Sequence, residues 1–228
     1  MNLKQLRDSA RLRLFDTKLD YLWSDDELND FINQAINEAV IRSRSILDST
    51  TPECSRIAVV AGQNKYPVHD AVFQITRVFS TVDNQALQKT SFNDLDEYLS
   101  DWQTSTGKPT HYVDDLNHYG ADGDAKRSIT LFPIPDVSNI LNLTVYRTPL
   151  GDLDNDFDTP EISVFQHPDL LYWVLHLAYM KQDSDAFDIA KSMEFDQRFT
   201  LCFGEKQDAR KLEWRRKHNR LRTTGQYF

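Results

Sequence analysis

Residues suited to cross-links, tight ligand loops or membrane spans are scarce in this sequence. Only two cysteines occur among 228 residues, Cys54 and Cys202. They stand far apart and lack a second Cys or His at metal-ligand spacing, so neither a disulfide framework nor a zinc site organises the chain. Both read as reduced, buried thiols. Seven glycines leave little material for loops that cradle a ligand. No Gly-x-Ser-x-Gly elbow, phosphate-binding Gly-x-x-x-x-Gly-Lys run or His-Glu-x-x-His pair is present. No stretch approaches the roughly 18 apolar residues of a membrane span, and Met1 to Arg13 scatters charge where a signal peptide is apolar. The chain reads as a cytosolic product, neither embedded nor exported by that route. Internal repeats and low-complexity segments are absent as well.

What the sequence does have is a globular balance and an uneven distribution of charge. Hydrophobic residues make up 40% and charged residues 27%, and 13 Phe, 9 Tyr and 4 Trp argue for a packed core. The net charge of −9 divides unequally. Residues 1–203 carry 18 Lys and Arg against 32 Asp and Glu, or −14, whereas residues 204–228 carry 8 against 3, or +5. An acidic body repels nucleic acid at long range, while a basic terminal arm seeks an acidic surface.

Helical periodicity marks both ends. Leu3, Leu6, Ala10 and Leu14 place one apolar stripe on a first helix. Ser24 and Glu27 form a capping box for a second, Trp23 can staple onto Leu28, and the acids Asp25, Asp26 and Glu27 suit the positive end of the helix dipole. Its apolar face, Leu28, Phe31, Ile32, Ala35, Ile36, Ala39 and Val40, runs on towards Leu47. Near the other end, Pro168 suits a first helical turn followed by Leu171, Val174, Leu175, Ala178 and Tyr179. A last helix is expected from about Asp185, with Phe187, Ala190, Met193, Glu194, Gln197 and Leu201 on one side, ending near Gly204.

Between them the rhythm alternates. Ile57 and Val59 face Tyr66 and Val68 across Gly62-Gln63-Asn64 as a hairpin, Val72 to Val82 is rich in β-branched and aromatic residues, and Leu141, Leu143 and Val145 alternate with polar neighbours. Ile129-Thr130-Leu131 alternates likewise before Pro133 and Pro135, and Ser91 to Trp102 reads as a short helix. The expected class is α+β: an antiparallel helical bundle from 1–50 and 160–203, an inserted antiparallel β-sheet or sandwich over 51–159, and a basic arm over 204–228.

The ordered motifs Trp23-Ser24-Asp25-Asp26-Glu27-Leu28, Gly107-x-Pro109-x-x-Tyr112, Ile129-x-Leu131-x-Pro133-x-Pro135, Tyr146-Arg147-x-Pro149 and His167-Pro168-Asp169-Leu170 carry a resemblance. In that order the chain resembles the head-to-tail adaptor, or connector, proteins of tailed, podovirus-like bacteriophages, over roughly residues 1–203. Each motif alone is a helix cap or a turn. The resemblance implies a structural virion protein at the head-tail interface, made in the host cytoplasm, with no cofactor and no enzymatic role. It implies a ring, commonly of twelve copies, under the portal protein, joined to a tail nozzle protein and with fibres as further partners. Genomic DNA passes through the lumen of such a ring, and no membrane is involved.

Candidate sites are weighed against plainer readings. Asp152, Asp154, Asp156 and Asp158 alternate like a calcium loop, but the sixth and twelfth positions from Asp152 are Phe157 and Ser163 rather than Gly and Glu. A solvated loop, or a surface for a basic neighbour, fits better. His111 and Asp115 share a strand face while Asp114 points away, and two ligands do not close a metal site. His118 lies in the same stretch. His176, inside an apolar helix, reads as a hydrogen-bonded core or interface histidine. In the arm, Arg210, Lys211, Arg215, Arg216, Lys217, Arg220 and Arg222 surround too few apolar residues for an independent helix. The arm is expected to order by docking onto the portal or an adjacent subunit, with Trp214, Tyr227 and Phe228 as aromatic anchors and the arginines paired with carboxylates. The alternatives are packing on its own acidic body, DNA binding through the same cations, and a hydrolase with a carboxylate site in the β part, since carboxylate pairs leave no sequence signature.

Overall fold

The computed structural model describes residues 1–98, 101–119, 125–182 and 186–206. In chain order the elements are α1 (Leu3–Leu14), α2 (Asp25–Ser43), β1 (Leu47–Asp48), α3 (Pro52–Ser55), β2 (Arg56–Val59), β3 (Lys65–Pro67), β4 (Val72–Ser80), β5 (Gln85–Thr90) and α4 (Phe92–Tyr98). There follow β6 (Thr106–Gly107), β7 (His111–Tyr119), β8 (Ala125–Phe132), β9 (Ile134–Pro135), β10 (Asn139–Arg147), α5 (His167–Tyr179) and α6 (Ile189–Phe203). The class is α+β. Two compact units result, one from 1–46 with 147–206 and one from 47–146.

In the helical unit, α5 packs against α1, α2 and α6. It can do so because Leu170, Leu171, Val174, Leu175 and Ala178 are apolar over a wide arc and all are buried. The stripe Leu3, Leu6, Ala10 and Leu14 is buried as its spacing requires. Asn2 and Gln5 close a capping box at the start of α1, and Ser24 and Glu27 close one on α2. α2 stops at Ser43, where Arg44 turns left-handed, so the expected continuation towards Leu47 is corrected: Leu47 belongs to β1 and is exposed. Arg42 joins three helices. Its guanidinium pairs with Glu38 at 2.9 Å, bonds Thr200 Oγ1 at 3.0 Å and lies over the rings of Trp173 and Phe199.

The last helix differs from expectation. It begins at Ile189 with Asp188 as its cap, Asp188 Oδ1 accepting from Lys191 N–H. Asp185 lies outside the described residues. Ser192, Phe199 and Phe203 are its buried positions, with Phe195 half-buried and stacked on Tyr172 and Tyr179. The stripe that the sequence assigned inward, Phe187, Ala190, Met193, Glu194, Gln197 and Leu201, is exposed throughout. Phe199 and Phe203 turn inward because they share one helix face, where they bury more apolar area than the face of Ala190, Met193 and Gln197.

The β unit is an eight-stranded sheet in the order β1-β10-β4-β5-β7-β8-β3, with β2 also on β10. Leu141, Leu143 and Val145 of β10 share one core with Ile129 and Leu131 of β8 and Tyr66 of β3. One face of the sheet is therefore curled onto itself. The expectation of a purely antiparallel sheet is corrected, because β5 and β7 run parallel, as do β6 and β9 in a small second sheet. A parallel neighbour needs a long crossover, which residues 91–110 and their helix α4 supply. The hairpin across Gly62-Gln63-Asn64 does not form either: β2 pairs with β10 and β3 with β8. The Tyr66 hydroxyl takes up the backbone of that connection, accepting from Val60 N–H and reaching the carbonyls of Val60 and Gln63. On the opposite face of the sheet, Leu95 of α4 packs with Val113 and Phe132.

Phe199 is fully buried, with Trp173 at 5.0 Å and Phe203 at 4.6 Å between ring centroids. Phe199→Ala should lower the unfolding free energy of the helical unit by about 3 kcal/mol in urea titrations followed by Trp fluorescence.

Candidate docking surface

The expected arm residues, Arg210, Lys211, Trp214, Arg215, Arg216, Lys217, Arg220, Arg222, Tyr227 and Phe228, lie outside the described residues. The acidic loop is strapped down rather than open. Its Asp156 carboxylate pairs with Arg7 at 2.8 Å, and the Asp156 and Asp158 carbonyls accept the N–H groups of Lys4 and Leu3. Leu153 exchanges two hydrogen bonds with the Asn33 side chain. The Asp158 carboxylate accepts the N–H groups of Asp154 and Asn155, which holds it below the ordinary carboxylate range. The alternating acids thus close a turn and satisfy the start of α1.

The other single-residue candidates have structural partners too. His111 is half-buried beside Thr110 and Phe132, and burial lowers its pKa. Asp114 pairs with Lys89 of the neighbouring strand. The side chains of Asp115 and His118 lie outside the described residues. His176 Nδ1 sits 2.9 Å from Ser192 Oγ and 3.0 Å from Ser192 O, between α5 and α6, as a hydrogen-bonded interface histidine. Among the described residues no group of three or more His, Cys, Asp or Glu is placed to hold a metal ion. Cys54 is buried, but Cys202 is exposed, which corrects the reading of two buried thiols: residue 202 lies just off the face that Phe199 and Phe203 bury.

What remains unexplained by folding is apolar surface. On α6, Ile189 is 52% exposed, Met193 57% and Leu201 86%, at four-residue steps completed by Gln197. At about 100° per residue the row winds away from the phenylalanines, from Ile189 near the side of Phe203 to Leu201 nearly opposite Phe199, so α6 has apolar residues on two sides and buries one. The four-residue spacing is the ridge that packs into another helix's groove. Lys191, Glu194 and Arg198 flank it, with Glu194 and Arg198 paired at 2.6 Å. A second set, Leu12, Phe15 and Leu19, surrounds the end of α1. In the β unit, Val59 and Leu141 floor a recess walled by Pro109, Val82 and Val137. The two helical sets are apolar, and the recess has an apolar floor with Asp83, Lys108 and Asp136 among its lining residues.

A family model described as SU10 adaptor protein matches residues 1–223. The chain belongs to that family. No curated protein matches it. Membership makes the chain a structural adaptor protein of bacteriophage, in a family that is not one of enzymes. An adaptor of this kind associates with other virion proteins, portal and tail parts among them, and its place is the virion. Among the described residues of this adaptor-family member, no helix is long and apolar enough to cross a membrane.

Two ion pairs tie the start of α2 into the adaptor's helical unit. A hydrogen bond from Arg11 holds the Asp25 carboxyl below 3.8, and one from Lys181 holds Glu27 below 4.5. Carboxylates whose folded pKa is depressed stabilise the fold above their unfolded pKa and lose that contribution as pH falls through the folded value. Stability should therefore decline as pH drops below 4.5. Lys181→Met and Arg11→Met should flatten that decline in urea titrations repeated across the acid range; an unchanged slope in both would contradict the assignment.

Proposed function

We propose that this protein is the head-to-tail connector of its virion, a ring beneath the portal that joins it to the nozzle and offers a site for fibres. The helical unit faces the portal, and the genome passes through the lumen. What carries the reading is family membership over residues 1–223 combined with a helix, α6, that presents a second apolar ridge left exposed among the described residues. An exposed ridge of Ile, Met and Leu is costly in solution and useful at a protein interface, where Met and large apolar side chains form the dry centre. The net charge of −14 over residues 1–203 also suits a channel, since a wall that bound phosphates tightly would hinder threading.

The basic arm adds a second grip on this reading. Arg210, Lys211, Arg215, Arg216, Lys217, Arg220 and Arg222 pair with carboxylates of the portal or of an adjacent subunit, and Trp214, Tyr227 and Phe228 anchor the contact. A chain lacking 204–228 stays folded and loses portal binding. DNA binding through the same cations predicts instead a steep loss of duplex affinity with salt and a further loss on changing Arg215, Arg216 and Lys217 to Ala.

Electron microscopy of the purified chain mixed with portal particles is the deciding test, and the expected image is a layered ring on the portal. Changing Ile189, Met193 and Leu201 together to Gln should alter folding stability by no more than about 1.5 kcal/mol, about 0.5 for each surface substitution, yet remove the ring from the portal. Unimpaired decoration of portals by that triple variant would assign the ridge elsewhere.

A further inference from the structure

Phe15 occupies a position that folding alone disfavours. It is the residue after α1, with φ 58° and ψ 23°, a left-handed conformation that Gly or Asn adopts readily and a bulky side chain does not. Burial offers no compensation, because its side chain is 89% exposed. Leu12 and Leu19 beside it are 68% and 87% exposed. The segment that presents them is nonetheless fixed. Asp16 accepts the N–H groups of Leu22 and Trp23, and Arg11 bonds Asp16 at 2.9 Å and Asp25 at 2.6 Å while its guanidinium lies 3.8 Å from the Tyr21 ring. A strained, exposed aromatic on a clamped loop is preorganised for something outside its own unit.

Charge indicates what that is. Arg11 is taken up by Asp16 and Asp25, which leaves Arg13, 5.9 Å from the Tyr172 ring, together with Lys18 and the exposed Asp20 near the patch in sequence; neither cation has a carboxylate partner among the described residues, and the balance of the three is cationic. The complement is an apolar recess with an acidic rim, and this chain carries one in its β unit. Val59 and Leu141 form its floor, Val82 and Val137 stand 70% and 63% exposed at its edge, and Asp83 and Asp136 line it. Asp83 is already paired with Lys108 at 3.1 Å, so among the described residues the exposed Asp136 is the lining carboxylate left for a neighbour's cation.

We infer that Phe15, with Leu12 and Leu19, seats in the β-unit recess of a second copy of this chain, with Arg13 and Lys18 against Asp136. The contact joins two different surfaces, so it propagates from copy to copy, and its closure into a ring rather than an open filament rests on the connector reading above. Its cationic rim sets the register between copies, and its aromatic centre acts as the anchor.

The test uses full-length protein assembled on portal particles. In a Cys202→Ser background that keeps Phe15, Lys18→Cys combined with Asp136→Cys should give disulfide-linked multimers on a non-reducing gel after mild oxidation; Cys54 is buried and does not compete. Rings visible by microscopy without linked multimers, or with only intrachain linkage, would overturn this contact and leave the connector reading standing. Absence of any ring with the unsubstituted chain would remove both. Independently, Phe15→Asn should leave the melting temperature unchanged or raised while weakening self-association at least about tenfold. Arg13→Glu with Lys18→Glu should weaken it as well, and adding Asp136→Lys should restore it. A charge swap that restores nothing would refute the pairing.

Discussion

The helical unit depends on the burial of α5. From Leu170 to Tyr179 that helix has no charged side chain, and it exposes apolar surface over so wide an arc that a single neighbour cannot cover it. Three helices are required, and two of them, α1 and α2, come from the other end of the sequence. The hydrophobic gain on α5 is therefore what draws the two ends of the chain together and leaves 47–146 as a separate compact unit between them. The aromatic and cationic contacts around it, Arg42 over Trp173 and Phe199 above all, are placed by that packing and add to it.

Once α5 is covered, the covering helices have spent one face each, and what they leave outward becomes the functional surface. On α6 the outward ridge is apolar, which a solitary protein has no use for. At the end of α1 the same logic produces Phe15, exposed and left-handed, on a loop locked by Arg11 and Asp16. In the β unit the curled sheet buries one face in its own core and leaves Val82, Val137 and Ile140 at the surface. For a protein whose family is one of virion adaptors, such surfaces are where recognition of other copies and other components belongs.

Local signals proved legible where a short stretch of sequence determines its own structure. The stripe on α1, the capping box at Ser24 and Glu27, the alternation of Leu141, Leu143 and Val145 and the proline at the start of α5 all appear in the fold. The acidic loop was open to several readings in the sequence, and the structure assigns the Asp156 carboxylate to Arg7 and the Asp158 carboxylate to backbone N–H groups. Pairing partners were not legible. β2 and β3 lie close in sequence and alternate like a hairpin, yet their partners are β10 and β8, because a curled sheet is chosen by the whole core rather than by one turn.

The sequence by itself determined the α+β class, the helix caps, the acidic body with its basic extension, and the adaptor resemblance, since each rests on residue type and spacing within a few turns of chain. Only the tertiary structure decided which of the two apolar faces of α6 turns inward, that β5 and β7 run parallel, and that Phe15 stands in solvent on a strained backbone. Periodicity reports that a helix has an apolar face; which face is buried depends on what else competes for the same core, and that competition exists only once the chain has folded.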